Sequence, residues 1–239
     1  MTFIPNWKIA DDGWPVLALA GVVTILTSII FLPLGCFFLG IMMWLAHGLR
    51  LPNRQTKADN QNIYAPADGV VLDIETDQFP DNIAGINAMP AKRITIQTRL
   101  TDTQLQTSPI TGHIVDNLLL PGLFRKWGFD RTSWQAARLS NERREIRIRD
   151  AYDREIMLVQ IGSKTARQLI CRLAEGKFVQ AGAPIGMARI AGVVDVFVPA
   201  ECKLLIDTGQ HVIAGETAIA QFAKHSKAGY RSFNFYQTP

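Results

Sequence analysis

Apolar and polar positions divide the chain into two unequal parts. From Trp14 to Leu49 no Asp, Glu, Lys or Arg occurs, and the run WPVLALAGVVTILTSIIFLPLGCFFLGIMMWLAHGL is apolar on every face of a helix. Such a pattern predicts a segment immersed in lipid rather than a helix with one stripe packed on a core. A straight helix over this run would reach roughly 54 Å, well past a hydrocarbon core of about 30 Å, so the run should bend. Pro33 and Gly35, in LPLG, mark the bend and predict legs of about 19 and 16 residues, forming a spanning hairpin or a re-entrant pair. Arg50, Arg54 and Lys57 follow the second leg, which predicts a cytoplasmic foot with the N-terminus returned to the same side. Asp11 and Asp12 ahead of the run, together with its length, argue against a cleaved signal peptide.

Beyond this run the pattern changes to short alternating stretches. Residues 50–64, RLPNRQTKADNQNIY, are polar and read as a linker. From Ala65 onward the stretches GVVLDI, RITIQT, GHIVDNLLL, EIRIRD, EIMLVQI, QLICRL, VVDVFV and CKLLI predict strands punctuated by Gly and Pro. A short internal repeat, EGKFVQAGAPI at 175–185 and TGQHVIAGETA at 208–218, predicts paired turns like those of lipoyl- and biotinyl-type β-hairpins. A swinging-arm role would need a lysine at a hairpin tip between the two copies, and IGMARIAG has none. The expected fold is therefore mainly β, preceded by an N-terminal membrane helical hairpin. Its expected parts are an N-terminal segment 1–13, the hairpin 14–49, the linker 50–64, a β-rich domain 65–223 and a basic, aromatic tail 224–239.

Composition changes this picture little. The formal charge of +4 and pI near 9.1 suit an anionic membrane surface. No aromatic sheet-face motif for nucleic acid accompanies them, so nucleic acid is not an expected partner. The stretch 125–149 carries eight Lys or Arg against three Asp or Glu, with Trp127 and Trp134 between them. It reads as a loop and amphipathic helix packed on the sheet, or as a surface resting on lipid headgroups. Three cysteines, Cys36, Cys171 and Cys202, lack metal-ligand spacing and predict neither a disulfide framework nor a metal site. His113 and His211 fall in turn-and-strand patterns, His47 at the membrane end and His225 in the tail; none stands in a catalytic motif.

Read in order, the fragments GWPV, LPLG, LRLPNR, APADGVVLDI, RITIQT, SPITGHIVD, LLPGLF, SNER, ICRLAEGKFVQAGAPIGMARI and VDVFVPA resemble the short bacterial phosphatidylserine decarboxylases, from about Gly13 to Phe222. The resemblance implies a membrane-attached, β-rich enzyme of phospholipid metabolism that cleaves its own chain at a Gly-Ser pair. Cleavage there leaves a pyruvoyl group, the electron sink for decarboxylation of the lipid. It also implies a serine activated by a His and an Asp.

Carried over residue by residue, that machinery is incomplete. The aspartate of the family's motif is Asp68, in APADG. The histidine position holds Gln104, in QLQTSP, and the cleavage pair falls on Ala191 and Gly192. Glycine has no hydroxyl and a glutamine amide does not titrate near neutrality. The resemblance with these replacements implies a pseudoenzyme: no pyruvoyl cofactor, and a role in binding phosphatidylserine or phosphatidylethanolamine, or in partnering an active relative or a second copy. The alternative is a decarboxylase active through a non-standard site, for which Gly162-Ser163 is the other Gly-Ser pair considered. The expected location is the inner membrane, with the β domain on the cytoplasmic side.

Overall fold

A computed structural model describes residues 8–52, 54–57, 59–79, 89–99, 101–127, 131–164, 169–171, 173–188 and 192–223. The tail expected at 224–239, with His225, lies outside them, as does Ala191. In chain order the elements begin with β1 (Lys8–Ile9), a 3-10 turn (Asp11–Gly13), α1 (Trp14–Ile30), α2 (Leu32–Gly48) and β2 (Arg50–Leu51). They continue with β3 (Asn62–Tyr64), β4 (Gly69–Gln78), β5 (Pro90–Gln97), β6 (Leu105–Thr107), β7 (Gly112–Leu120) and α3 (Arg131–Ser140). The remaining strands are β8 (Arg143–Arg149), β9 (Glu155–Ile161), β10 (Leu169–Cys171), β11 (Phe178–Val179), β12 (Pro184–Ala188), β13 (Val193–Pro199), β14 (Lys203–Leu204), β15 (His211–Val212) and β16 (Ala218–Gln221).

The fold is mainly β. An eight-stranded antiparallel sheet runs β11-β7-β8-β9-β13-β5-β4-β15, faced by the three-stranded sheets β10-β12-β6 and β14-β16-β3. Every residue of β9, EIMLVQI, is buried, because both faces of the sheet are covered. On one face Ile94, Ile96, Ile146, Ile156, Leu158 and Val196 meet Ile63, Ile185 and Ile219 from the small sheets. On the other, Met157, Val159, Ile161 and Phe197 pack with Phe79 and with Trp127, which precedes α3. Trp127 stacks on Trp134 of α3 with ring centroids 6.4 Å apart. Burial of such side chains, each contributing about 1.5–3 kcal/mol, is what holds the layers together.

The two copies of the internal repeat occupy opposite edges of the large sheet, one carrying β11 and the other β15. Each copy turns on glycines in the left-handed region: Gly176 and Gly182 at φ 77° and 78°, Gly209 and Gly215 at 84° and 72°. The sheet curls until these edges approach, so that a Cβ on Gly215 would lie 3.2 Å from the Gly182 Cα. Thr56 is seated at this seam, where a Cβ on Gly182 would overlap its Oγ1.

The apolar run forms two helices packed side by side. The chain breaks at Phe31, in extended conformation (φ −154°, ψ 106°), rather than at Pro33. Pro33 lies in the first turn of α2, where its missing N–H leaves no helix bond unmade. Both helices have 17 residues, so the expected unequal legs become equal. At the crossing, a Cβ on Gly35 would stand 2.6 Å from the Ser28 Cα, and the absent side chain allows the close approach. Thr24, Thr27 and Ser28 return their hydroxyls to carbonyls of their own helix. Among the described residues no helix is long and apolar enough to cross a membrane, which corrects the expectation of a transmembrane hairpin. Seventeen residues extend about 25 Å, short of a hydrocarbon core of about 30 Å.

Several described residues of the polar stretch after the hairpin pair with the rest of the fold. β2 pairs with β1, closing the foot of the hairpin, and β3 joins the β14-β16 sheet. Tyr64 donates its hydroxyl to the Lys57 carbonyl at 3.0 Å.

Candidate functional site

The positions singled out in the sequence gather around the end of β5. Asp68 immediately precedes β4, and Gly69 (φ 157°) lets β4 press against the backbone of Gln97 and Thr98. A Cβ on Gly69 would lie 3.0 Å from the Thr98 nitrogen. On the other side of β5, the same Thr98 N–H donates to the carbonyl of Gly192 at 3.0 Å. Gly192 is buried and leads directly into β13, whose first residue, Val193, pairs with Gln97 and with Ile161. Gln104 closes the loop that leaves β5, its Nε2 donating to the carbonyls of Arg99 and Asp102 at 3.1 and 2.9 Å.

Charge and burial differ among the three. The Asp68 carboxylate, 8% exposed as a residue, accepts from both terminal nitrogens of Arg54 at 2.5 Å and from the Ala214 N–H at 2.8 Å. Arg54 also donates to the Ala214 carbonyl at 2.7 Å. Gln104 is 6% exposed and sits at the foot of the hairpin: its N–H donates to the Gly48 carbonyl at 3.0 Å. A Cβ on Gly48 would be 3.8 Å from the Gln104 Cγ, an ordinary contact. Gln104 and the hairpin are thus packed directly against each other.

Two arrangements escape a reading of sequence. His211, opposite Val70 at the sheet edge, brings its Nε2 to 3.8 Å from Asp102, too far for a hydrogen bond. Gly162-Ser163, far from Gly192 in sequence, lies one residue past the Ile161–Val193 pairing, beside Gly192. The Gly162 carbonyl accepts from Asn141 Nδ2 at 2.8 Å, and Ser163 is 6% exposed. Only strand register brings these residues together, and register depends on partners that one strand's pattern does not name.

Other chemistry is sparse. Burial pushes the Cys202 thiol up to about 12 and also raises Cys171, which disfavours either as a thiolate nucleophile. Among the described residues no group of three His, Cys, Asp or Glu is placed to hold a metal ion.

The family profile for phosphatidylserine decarboxylase matches residues 42–220, from within α2 to β16, a span that contains every position described above. The chain belongs to the phosphatidylserine decarboxylase family. Among its relatives, the phosphatidylserine decarboxylase proenzyme of Saccharopolyspora erythraea is 33% identical over 76% of this chain and 74% of its own length. Those of Paramagnetospirillum magneticum and Beijerinckia indica are 32% and 30% identical, covering 90% and 89% of this chain and 87% and 88% of theirs. The family match begins after Phe31 and so excludes α1, the first leg of the hairpin.

Proposed function

We propose that this chain is a membrane-associated, phospholipid-binding member of the phosphatidylserine decarboxylase family that neither cleaves itself nor forms a pyruvoyl group. Gly192 carries this reading. Self-cleavage requires a hydroxyl oxygen to attack the preceding carbonyl, and glycine offers no side-chain atom with which to do so. A pyruvoyl group therefore does not fit this site, and no chemical step is routed through one. Gln104 supports the same reading, because an amide spent on two carbonyls is no general base. Asp68 is retained with its carboxylate bound to Arg54 and Ala214, a positioning arrangement for the backbone around it.

The membrane part rests on the hairpin surface. Its tip is the most exposed apolar stretch, with Ile29 and Ile30 78% and 82% exposed and Phe31 and Leu32 beside them. A continuous apolar surface of this kind needs cover. Helices of about 25 Å enter from one leaflet as a re-entrant hairpin, leaving Lys8 and Arg50 near anionic headgroups on the cytoplasmic face. Phosphatidylserine or phosphatidylethanolamine is the lipid class that this reading assigns; a second copy or an active relative is the protein partner.

Intact-mass measurement of the purified protein tests the proposal. One species near 26.6 kDa is expected. A blocked fragment beginning at residue 192 overturns it.

The placement of Gly162-Ser163 beside Gly192 favours a second reading, a displaced cleavage at that pair followed by decarboxylation of phosphatidylserine. It predicts a fragment beginning at residue 163 and its loss in Ser163→Ala, with phosphatidylethanolamine formation lost in parallel.

A further inference from the structure

A cavity of about 310 Å³ lies at the far end of the large sheet from the family site. The turn that joins β8 to β9 forms one wall, whereas Gly162 and Gly192 lie past the other end of β9, roughly 20 Å away for a strand of this length. Five segments remote in sequence converge on it, contributing Asp59, His113, Asp150, Tyr152, Phe178 and Phe222. The family chemistry leaves this cavity without a role.

Its lining is aromatic and carries net negative charge. Tyr152 and Phe178 are 60% and 50% exposed, so both rings are open to a ligand. The His113 ring meets Phe178 edge-on at 5.2 Å, which holds that wall in place. The Asp59 carboxylate accepts from two neutral donors, the Gln61 N–H and Asn62 Nδ2, each at 2.8 Å. A carboxylate has about four lone-pair positions, so acceptor capacity and a full negative charge remain. Asp150 is neutralised by Arg154 at 2.5 Å, and Arg154 also donates to the Asn60 carbonyl. Among the described residues no Lys or Arg lines the cavity.

The rings already receive one cation. The Arg154 guanidinium lies 3.8 Å from the Phe222 centroid and 4.9 Å from that of Tyr152. Aromatic faces beside a carboxylate are the combination that recognises an ammonium carrying apolar substituents, because ring quadrupoles and anion attract the same charge.

We infer that this cavity is a binding site for a small organic cation, its ammonium directed to Asp59 and its substituents lying against Tyr152 and Phe178. An anionic ligand is disfavoured, since the nearby guanidinium is already committed to Asp150 and Asn60. The inference stands apart from the reading of Gly192, and neither depends on the other.

Calorimetry on the full detergent-solubilised chain tests it, with choline compared with its neutral isostere 3,3-dimethylbutan-1-ol. Saturable choline binding is expected, with the isostere at least about fivefold weaker. Asp59→Asn, whose amide keeps one acceptor oxygen, and Phe178→Leu, at a half-exposed ring, should each weaken choline by about fivefold, with melting temperatures measured to show that both variants are folded. Dihexanoyl-phosphatidylcholine binding more tightly than choline assigns a lipid headgroup; equal or weaker binding assigns a free amine. Equal affinity for choline and the isostere, no saturable heat, or binding untouched by both folded variants overturns the site.

Discussion

Asp68 and Asp195 invite comparison because both belong to fragments that carry the family resemblance, APADG and VDVFVPA, and both are buried against an arginine. Asp195 is 1% exposed and lies in mid-strand on β13. Arg138 of α3 donates its Nε to Asp195 Oδ2 at 2.5 Å, while Thr95 of β5 donates to Oδ1 at 2.7 Å. That cluster fastens α3 to the outer face of the sheet. Asp68 lies before a strand, and Arg54 fastens the segment following the hairpin. In both cases the carboxylate joins an accessory segment to the sheet, and that structural work is sufficient reason for an aspartate in either place. An aspartate at either place is therefore weak support for catalysis.

The largest expected effect comes from removing the deeper partner. Arg138→Ala should cost about 3–5 kcal/mol, because it strands the Asp195 carboxylate with Thr95 alone; urea unfolding followed by circular dichroism measures it. A near-neutral result would mean that α3 does not depend on this pair. Arg54→Ala should cost less, about 1–3 kcal/mol, since Asp68 keeps the Ala214 N–H and lies closer to solvent. Limited proteolysis should then cut between residues 50 and 57 faster than in the unsubstituted chain.

Gly182→Ala should cost a similar amount, about 1–3 kcal/mol for a left-handed residue, measured as a lowered melting temperature. Thr56→Ala should recover only the steric share of that loss. Cys202 provides the neutral counterpart to the two carboxylates and adds no pH dependence near neutrality. Its folded value near 12 exceeds the ordinary 9.0, so the unfolded chain releases the proton first as pH rises. Its contribution is whole below pH 9.0, declines toward 12, and the slope should vanish in Cys202→Ala.

The long strands were legible because their pattern is strong. GHIVDNLLL and EIMLVQI coincide with β7 and β9 at both ends. β6, β16 and most of β12 escaped notice: LQT is two-thirds polar, PIGMA contains Pro and Gly, and AIAQ is short and small. Their burial comes from facing the large sheet, which no local window contains. The same reason hid the packing of 50–64, a polar stretch whose Arg54 and Thr56 find partners far along the chain. Gln104 and Gly192 were singled out in the sequence, but the nearness of Gln104 to the hairpin foot and of Gly162 to Gly192 belongs to the tertiary fold alone.

The seating of Thr56 between the two repeat turns has a mechanical meaning. With β1 paired to β2, Arg54 bound to Asp68 and Thr56 held at the seam, little slack remains between the hairpin and the sheet. A hairpin set in a bilayer would act as a mast rather than a leash, holding the domain at one attitude to the surface. Encounters would then be reduced to sliding and spinning in a plane, and whatever the domain meets must present a matching height above the lipid.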